Sequence, residues 1–329
     1  RCFLEIFPET EFFSGAASCE DRSAGATVSR NNLNTNQEPM WTHLLSHRLP
    51  LRTTSTMRKM SKSTLSGRRD AFGGLILNAE NAKIETFEET LTRSIFEWKR
   101  DGTRGVWFKV PLNRAPLVPI LVENGFVFHH AEPDYVMLNR FIPTDEINSL
   151  PPNASTQVGI GAIVLNPENQ VLLVQEAVGP SSRHDMWKIP TGLVECGEDI
   201  SDAAEREVME EVGITAKFEK IVSMKHMHKA AFGKSDMFFT CILRCDDTNH
   251  DTFTLQSNEI ARAKWDSYDT FLNQKPFPSE IPLWKEVYQQ CVGVSGIVGD
   301  VNGLSTKRMD ARNPLRKGDG RPDSAVLIY

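Results

Sequence analysis

At 329 residues the chain has room for two domains, each with a sizeable core. Forty per cent apolar and 24% charged residues are ordinary for a globular protein, and a net charge of −6 offers no basic field for nucleic acid. No run of about 18 apolar residues exists, so no membrane-spanning helix is expected. The cysteines are Cys2, Cys19, Cys196, Cys241, Cys245 and Cys291, and no two of them form a CxxC pair. That speaks against a zinc or dithiol site and for a reducing compartment. Cys241 and Cys245 read as small apolar core residues.

Residues 1–70 show no apolar period and are expected to be unfolded. From Met40 the sequence carries seven Lys and Arg and no acid before Asp70, the composition of a mitochondrial transit peptide, with a disordered basic tail as the alternative. The composition changes at Ala71. Residues 72–79 (FGGLILNA) read as a strand, and Phe87, Leu91, Ile95 and Trp98 form an apolar helix stripe. A strand at 105–111, a helix at 116–123 ending at Gly125, and an antiparallel pair at 126–131 and 135–141 complete a β-α-β-α-β-β unit over 71–150. Its layout is similar to part of an acetyltransferase-like α/β domain, but no R-x-x-G-x-G loop is present. It therefore reads as an accessory or dimerising unit, with Phe96, Trp98, Trp107, Phe108, Phe126 and Phe128 as core.

A polar linker at 151–156 leads to a second α/β unit over 155–291. Residues 158–165 and 170–175 read as a hairpin across 166–169, supplying central strands. In 187–192 (WKIPTG), Pro190 holds the chain extended before a turn. Residues 192–214 (GLVECGEDISDAAEREVMEEVGI) then run into a carboxylate-rich helix, with Ser201 as the expected N-cap and Asp202 behind it. Further strands are expected at 221–227, 237–244 and 263–265, and a closing helix at 282–291. Residues 292–329 read as a disordered tail.

The chemistry concentrates in that helix. At about 100° per residue, Glu207, Glu210 and Glu211 share an arc of about 100°, with Ala204, Val208 and Val212 beside it for burial. Such carboxylates repel unless a cation lies between them, and hard oxygens on one face suit Mg²⁺ or Mn²⁺. A solvated acidic face is the alternative. The order Gly192, Glu198, Arg206-Glu207-Val208, Glu210-Glu211, Gly213-Ile214 matches the spacing GX5EX7REUXEEXGU at every position. Seven fixed residues agree by chance on the order of once in 10⁸ starting points. The chain thus resembles the Nudix hydrolase family over roughly residues 155–290. The unit before the box is similar in arrangement to a two-domain subgroup, the plant hydrolases and the vertebrate fibroblast growth factor antisense protein.

The resemblance implies an α/β/α sandwich with a mixed sheet that hydrolyses nucleoside diphosphates linked to a second moiety. ADP-ribose and NADH lead as substrates, by way of a small-molecule nucleotide site, Mg²⁺ or Mn²⁺, and a homodimer. Coenzyme A, diadenosine polyphosphates, capped RNA and non-catalytic nucleotide sensing are the alternatives. By similarity Glu207 and Glu211 are metal ligands, Glu210 shares their cluster, and Arg206 orients the glutamates with Glu198 as its partner. Gly192 and Gly213 are backbone devices. Glu259, in NEIARAKW, stands where relatives place a further ligand or the base, and Glu195 where they place a supporting carboxylate. His226 and His228 are candidates to meet phosphate or base, with structural histidines as the alternative. Ser235 and Asp236 are candidates to line the nucleotide pocket, with a capping turn as the alternative.

Overall fold

The computed structural model describes residues 64–179, 181–245, 252–275, 277–305, 307–310 and 325–328. The transit-peptide reading falls outside this set up to residue 63; residues 64–70 are described, and the expected unfolded stretch is corrected there, since Arg68–Arg69 pair as a strand with Leu75–Ile76. Among the described residues no helix is long and apolar enough to cross a membrane.

The first unit is a five-stranded sheet with two helices on one face. Its strands are β1 (Arg68–Arg69), β2 (Leu75–Asn78), β3 (Gly105–Pro111), β4 (Val127–Glu132) and β5 (Tyr135–Phe141), in the order β1-β2-β3-β5-β4. Helix α1 (Ile84–Arg100) buries the expected stripe Phe87, Leu91, Ile95 and Trp98, and α2 (Leu117–Glu123) buries Leu117 and Leu121. Both helices pack on Val106, Phe108 and Val110, the alternate residues of β3. Leu91→Ala should therefore cost about 3 kcal/mol in denaturant unfolding, because a fully buried leucine leaves a cavity on truncation. Two of the expected core aromatics are corrected. Phe96 lies on the outer face of α1, and Phe128 lies on β4, an edge strand, so both are exposed.

The second unit is built on a mixed sheet. Its strands are β6 (Thr156–Leu165), β7 (Val171–Glu176), β8 (Thr191–Leu193), β9 (Lys217–Met227), β10 (Ser235–Arg244) and β11 (Ile260–Asp266). They run β11-β7-β6-β10-β9, with β8 also on β6. Parallel pairing of β6 with β10 buries both, and β6 is apolar on both faces accordingly. Helix α3 (Ile200–Val212) covers one face, placing Ala204, Val208 and Val212 on Ile160, Ala162 and Val164. Helices α4 (Tyr268–Asn273) and α5 (Pro282–Gln289) cover the other, where Trp284 and Tyr288 meet Phe238.

The hairpin expected of β6 and β7 closes at a single pair, Leu165 with Val171. Beyond it the strands part, and residues 188–193 enter between them. Lys188 exchanges both backbone hydrogen bonds with Val174, Ala162 N–H donates to the Pro190 carbonyl, and Gly192 pairs with Ile160. That wedge brings the start of the carboxylate segment into the sheet.

Residues 292–304 are not the expected free tail. Ile221 and Leu304 exchange backbone hydrogen bonds, Gly299 N–H donates to the Cys291 carbonyl, and Lys220 Nζ donates to the carbonyls of Gly299 and Val301. Farther on, β12 (Lys307–Asp310) and β13 (Ala325–Ile328) pair antiparallel.

Candidate active site

Helix α3 begins at Asp199, whose extended backbone makes it the N-cap, so the expected cap at Ser201 is corrected. Ser201 is buried inside the first turn and donates to the Asp202 carboxylate. The helix ends at Gly213, which takes φ 73° in the left-handed region that glycine enters without strain.

Arg206 organises the acidic side chains. Its Nε and Nη2 donate to the two Glu198 oxygens at 2.6 and 2.8 Å, a forked pair. Nη1 donates to Glu207 Oε1 at 2.8 Å and to Glu210 Oε2 at 3.0 Å, while Nη2 also reaches the Leu193 carbonyl at 3.0 Å. The Glu198 carboxylate additionally accepts the Glu195 N–H, so Glu195 supports it through its backbone and leaves its own side chain exposed.

Glu207 and Glu211, one helical turn apart, lie against the backbone of β8. A Cβ on Gly192 would fall inside the Glu207 carboxylate, so glycine here supplies space rather than an unusual φ. Glu211 is buried, and its Oε1 accepts the Thr191 N–H at 3.4 Å. Glu210, half-exposed, stands farther out. Arg206 hydrogen bonding holds Glu198 below the ordinary carboxylate range. Burial pushes Glu207 the other way, against the opposing pull of Arg206. Removal from water thus disfavours the charged form of Glu207.

The donor set fits a small divalent cation. Glu207 and Glu211 are hard oxygen donors on one wall, and Mg²⁺ is usually held by one or two carboxylates completed by water and phosphate. Among the described residues no group of three or more His, Cys, Asp or Glu side chains converges on one metal position, so the candidate ligands are the pair Glu207 and Glu211, with Glu210 farther out.

The remaining candidates are placed as follows. Glu259 is half-buried; its carbonyl accepts the Ala177 N–H, and its loop is pinned to α3 by Gln256 N–H on the Glu211 carbonyl. His226 and His228 are exposed, their rings 4.4 Å apart, and His228 Nδ1 lies 3.1 Å from Ser235 Oγ. Ser235 and Asp236 open strand β10, which replaces the expected turn. Asp236 sits two strands and three residues from Gly192, on the order of 14 Å away. It is buried, and strand alternation puts it with Phe238 on the face opposite α3. Asp236 is thus not brought to the Arg206 cluster, while His226, His228 and Ser235 contact one another instead of its carboxylates. Sequence reasoning missed Lys188, Thr191 and Glu176, which do adjoin it. The available signal was a lysine and a threonine inside WKIPTG, immediately before the box.

Comparison with known proteins places the chain in a family. A model described as the NUDIX domain matches residues 155–285, and one described as a Nudix hydrolase domain matches residues 65–142. Nudix hydrolase 8 of Arabidopsis thaliana is 38% identical over 84% of this chain and 72% of its own length. Nudix hydrolase 2 of the same plant is 37% identical over 79% of this chain and 91% of its own. Nucleoside diphosphate-linked moiety X motif 6 of Homo sapiens is 33% identical over 61% and 64%. The chain belongs to the Nudix hydrolase family, and is a hydrolase of that class.

Proposed function

We propose that the chain hydrolyses the pyrophosphate bond of nucleoside diphosphates linked to a second moiety, with ADP-ribose and NADH as the preferred substrates. The observation that carries this reading is the pair Glu207 and Glu211 seated on the Thr191–Gly192 backbone, with Arg206 spanning Glu198, Glu207 and Glu210. The name of the human relative, which refers to a nucleoside diphosphate-linked moiety X, supports the substrate class.

Glu207 and Glu211, with Glu210 beside them, would hold Mg²⁺ or Mn²⁺, which when bound offsets the diphosphate charge and lowers the pKa of water. The chain's own part is positional. Arg206 keeps Glu198 ionised and fixes the rotamers of Glu207 and Glu210 before any ligand arrives. Glu259, carried on a loop bonded to both α3 and the end of β7, is the candidate to accept a proton from the attacking water. Ser235, His226 and His228, at the same end of the sheet as β8, are candidates to meet the nucleoside. Products balance as AMP and ribose 5-phosphate from ADP-ribose, and as AMP and reduced nicotinamide mononucleotide from NADH.

A substrate panel resolved by chromatography tests the reading, using ADP-ribose, NADH, coenzyme A, diadenosine tetraphosphate and capped RNA with Mg²⁺ or Mn²⁺. AMP release from ADP-ribose or NADH at the highest kcat/KM is expected. Turnover confined to another member would change the substrate, and binding of ADP-ribose without AMP release would make the domain a sensor.

A further inference from the structure

The box residues do not account for a buried lysine next to them. Lys188 is 6% exposed, and its ammonium lies 2.7 Å from Glu176 Oε1 and donates to Thr191 Oγ1 at 3.0 Å. An ammonium taken out of water costs several kcal/mol unless such partners receive it. Its backbone is fixed by the two hydrogen bonds exchanged with Val174, so the side chain is a strut between rigid points. On one side stands Glu176, at the end of β7, whose other oxygen accepts the Ser181 hydroxyl. On the other stands Thr191, whose N–H serves Glu211 and whose neighbour Gly192 seats Glu207. The Thr191–Glu211 bond, at 3.4 Å, is near the outer limit for a hydrogen bond. A shift of a few tenths of an ångström in Thr191 would make or break it.

We propose that Lys188 is a positioning residue for divalent-cation binding: it ties the Thr191–Gly192 backbone, on which Glu207 and Glu211 rest, to Glu176 on β7. The inference rests on the metal-binding reading above and concerns residues that the box does not contain. Lys188 acts through Thr191 and touches no reacting atom. The neighbouring Ala177 N–H on the Glu259 carbonyl extends the same tie to the loop that carries Glu259.

Mn²⁺ titration of the full chain by electron spin resonance, without substrate, tests it in the wild type and in Lys188→Met, Lys188→Arg and Thr191→Val. Loss of an outer partner of a metal-binding carboxylate typically costs 10–100-fold in affinity, so Lys188→Met should weaken Mn²⁺ by about 10-fold or more. Lys188→Arg, which keeps the charge and can still reach Glu176, should recover part of the loss. Thr191→Val keeps both the lysine and the backbone N–H, and should weaken Mn²⁺ by about threefold or more. It decides the matter if Lys188→Met does not fold. The sign of the change separates positioning from charge. A lysine acting only as a nearby cation would, on removal, leave a more negative site and tighter Mn²⁺ binding. A lysine acting only in packing would lower the Tm and leave the Mn²⁺ Kd unchanged. Either result overturns the proposal. A wild type that binds no Mn²⁺ would overturn the metal reading itself, an outcome distinguishable from the other two.

Discussion

Glu211→Gln should lower kcat for the preferred nucleotide by about 10²–10³-fold at saturating Mg²⁺. A bound cation supplies several kcal/mol of charge stabilisation to such a transition state, and each 1.36 kcal/mol is tenfold in rate. The exchange keeps shape and an oxygen acceptor, so the Thr191 N–H can still be satisfied. The thermal midpoint without metal should hold or rise, since a neutral amide is less costly to bury than a carboxylate at this buried position. Steady-state kinetics with differential scanning calorimetry separates the two effects. Undiminished kcat with an unchanged Mg²⁺ requirement would remove Glu211 from the site. A lost midpoint would instead make the residue structural.

The sequence was most informative where spacing along one element decides geometry. Helical period alone places Ala204, Val208 and Val212 on the sheet and groups Glu207, Glu210 and Glu211 on one arc; the structure seats Glu207 and Glu211 against β8 and leaves Glu210 farther out. The pairing of Arg206 with Glu198 was implied by the family resemblance, and the forked contact is present. Asp199, Ser201 and Asp202 all suit a cap and Ser201 was expected; Asp199 takes the extended backbone of the N-cap instead, and Ser201 is buried in the first turn. Strand β8 has three residues and α4 six, both too short to display a period, and they form because β6 and Ser267 supply their hydrogen bonds.

Burial of polar residues was the larger blind spot. A lysine reads as surface, yet Lys188 is held inside by Glu176, twelve positions earlier in the chain and one strand away. Residues 292–304, rich in glycine, were read as part of a disordered tail. Gly296 and Gly299 instead take positive φ in the turns that return the chain to Ile221 and Cys291, and that role depends on partners far away in sequence. Asp236 was read in FGKSDMFF as a candidate to line the nucleotide pocket; strand parity turns it, buried, to the α5 side.

Arg206→Met should damage stability and activity together. Methionine keeps most of the apolar stem and removes every donor, leaving Glu198, Glu207 and Glu210 without their shared guanidinium. Arg206 is 24% exposed, and Glu198 and Glu207 are 15% exposed, so solvent screens the loss only in part. Removing one partner of a largely buried ion pair costs about 3 kcal/mol. Activity should fall by about 10–100-fold as the carboxylates lose their fixed rotamers. The pH dependence carries the sign of the mechanism. Glu198 is held below its ordinary value of 4.5 by Arg206, so its contribution is present above that value and is lost as pH falls through the depressed one. Glu207 is raised by burial and lowered by Arg206, so the variant should raise it further and make its ionisation costlier at neutral pH. Both effects act in the same direction: the stability gap between wild type and variant should be widest near pH 7 and shrink below about pH 4. Denaturant unfolding at both pH values measures it, and an equal gap at the two would refute this account of Arg206. Arg206→Lys should recover little, because a point-charge ammonium cannot make the forked contact to Glu198 while also reaching Glu207, Glu210 and the Leu193 carbonyl.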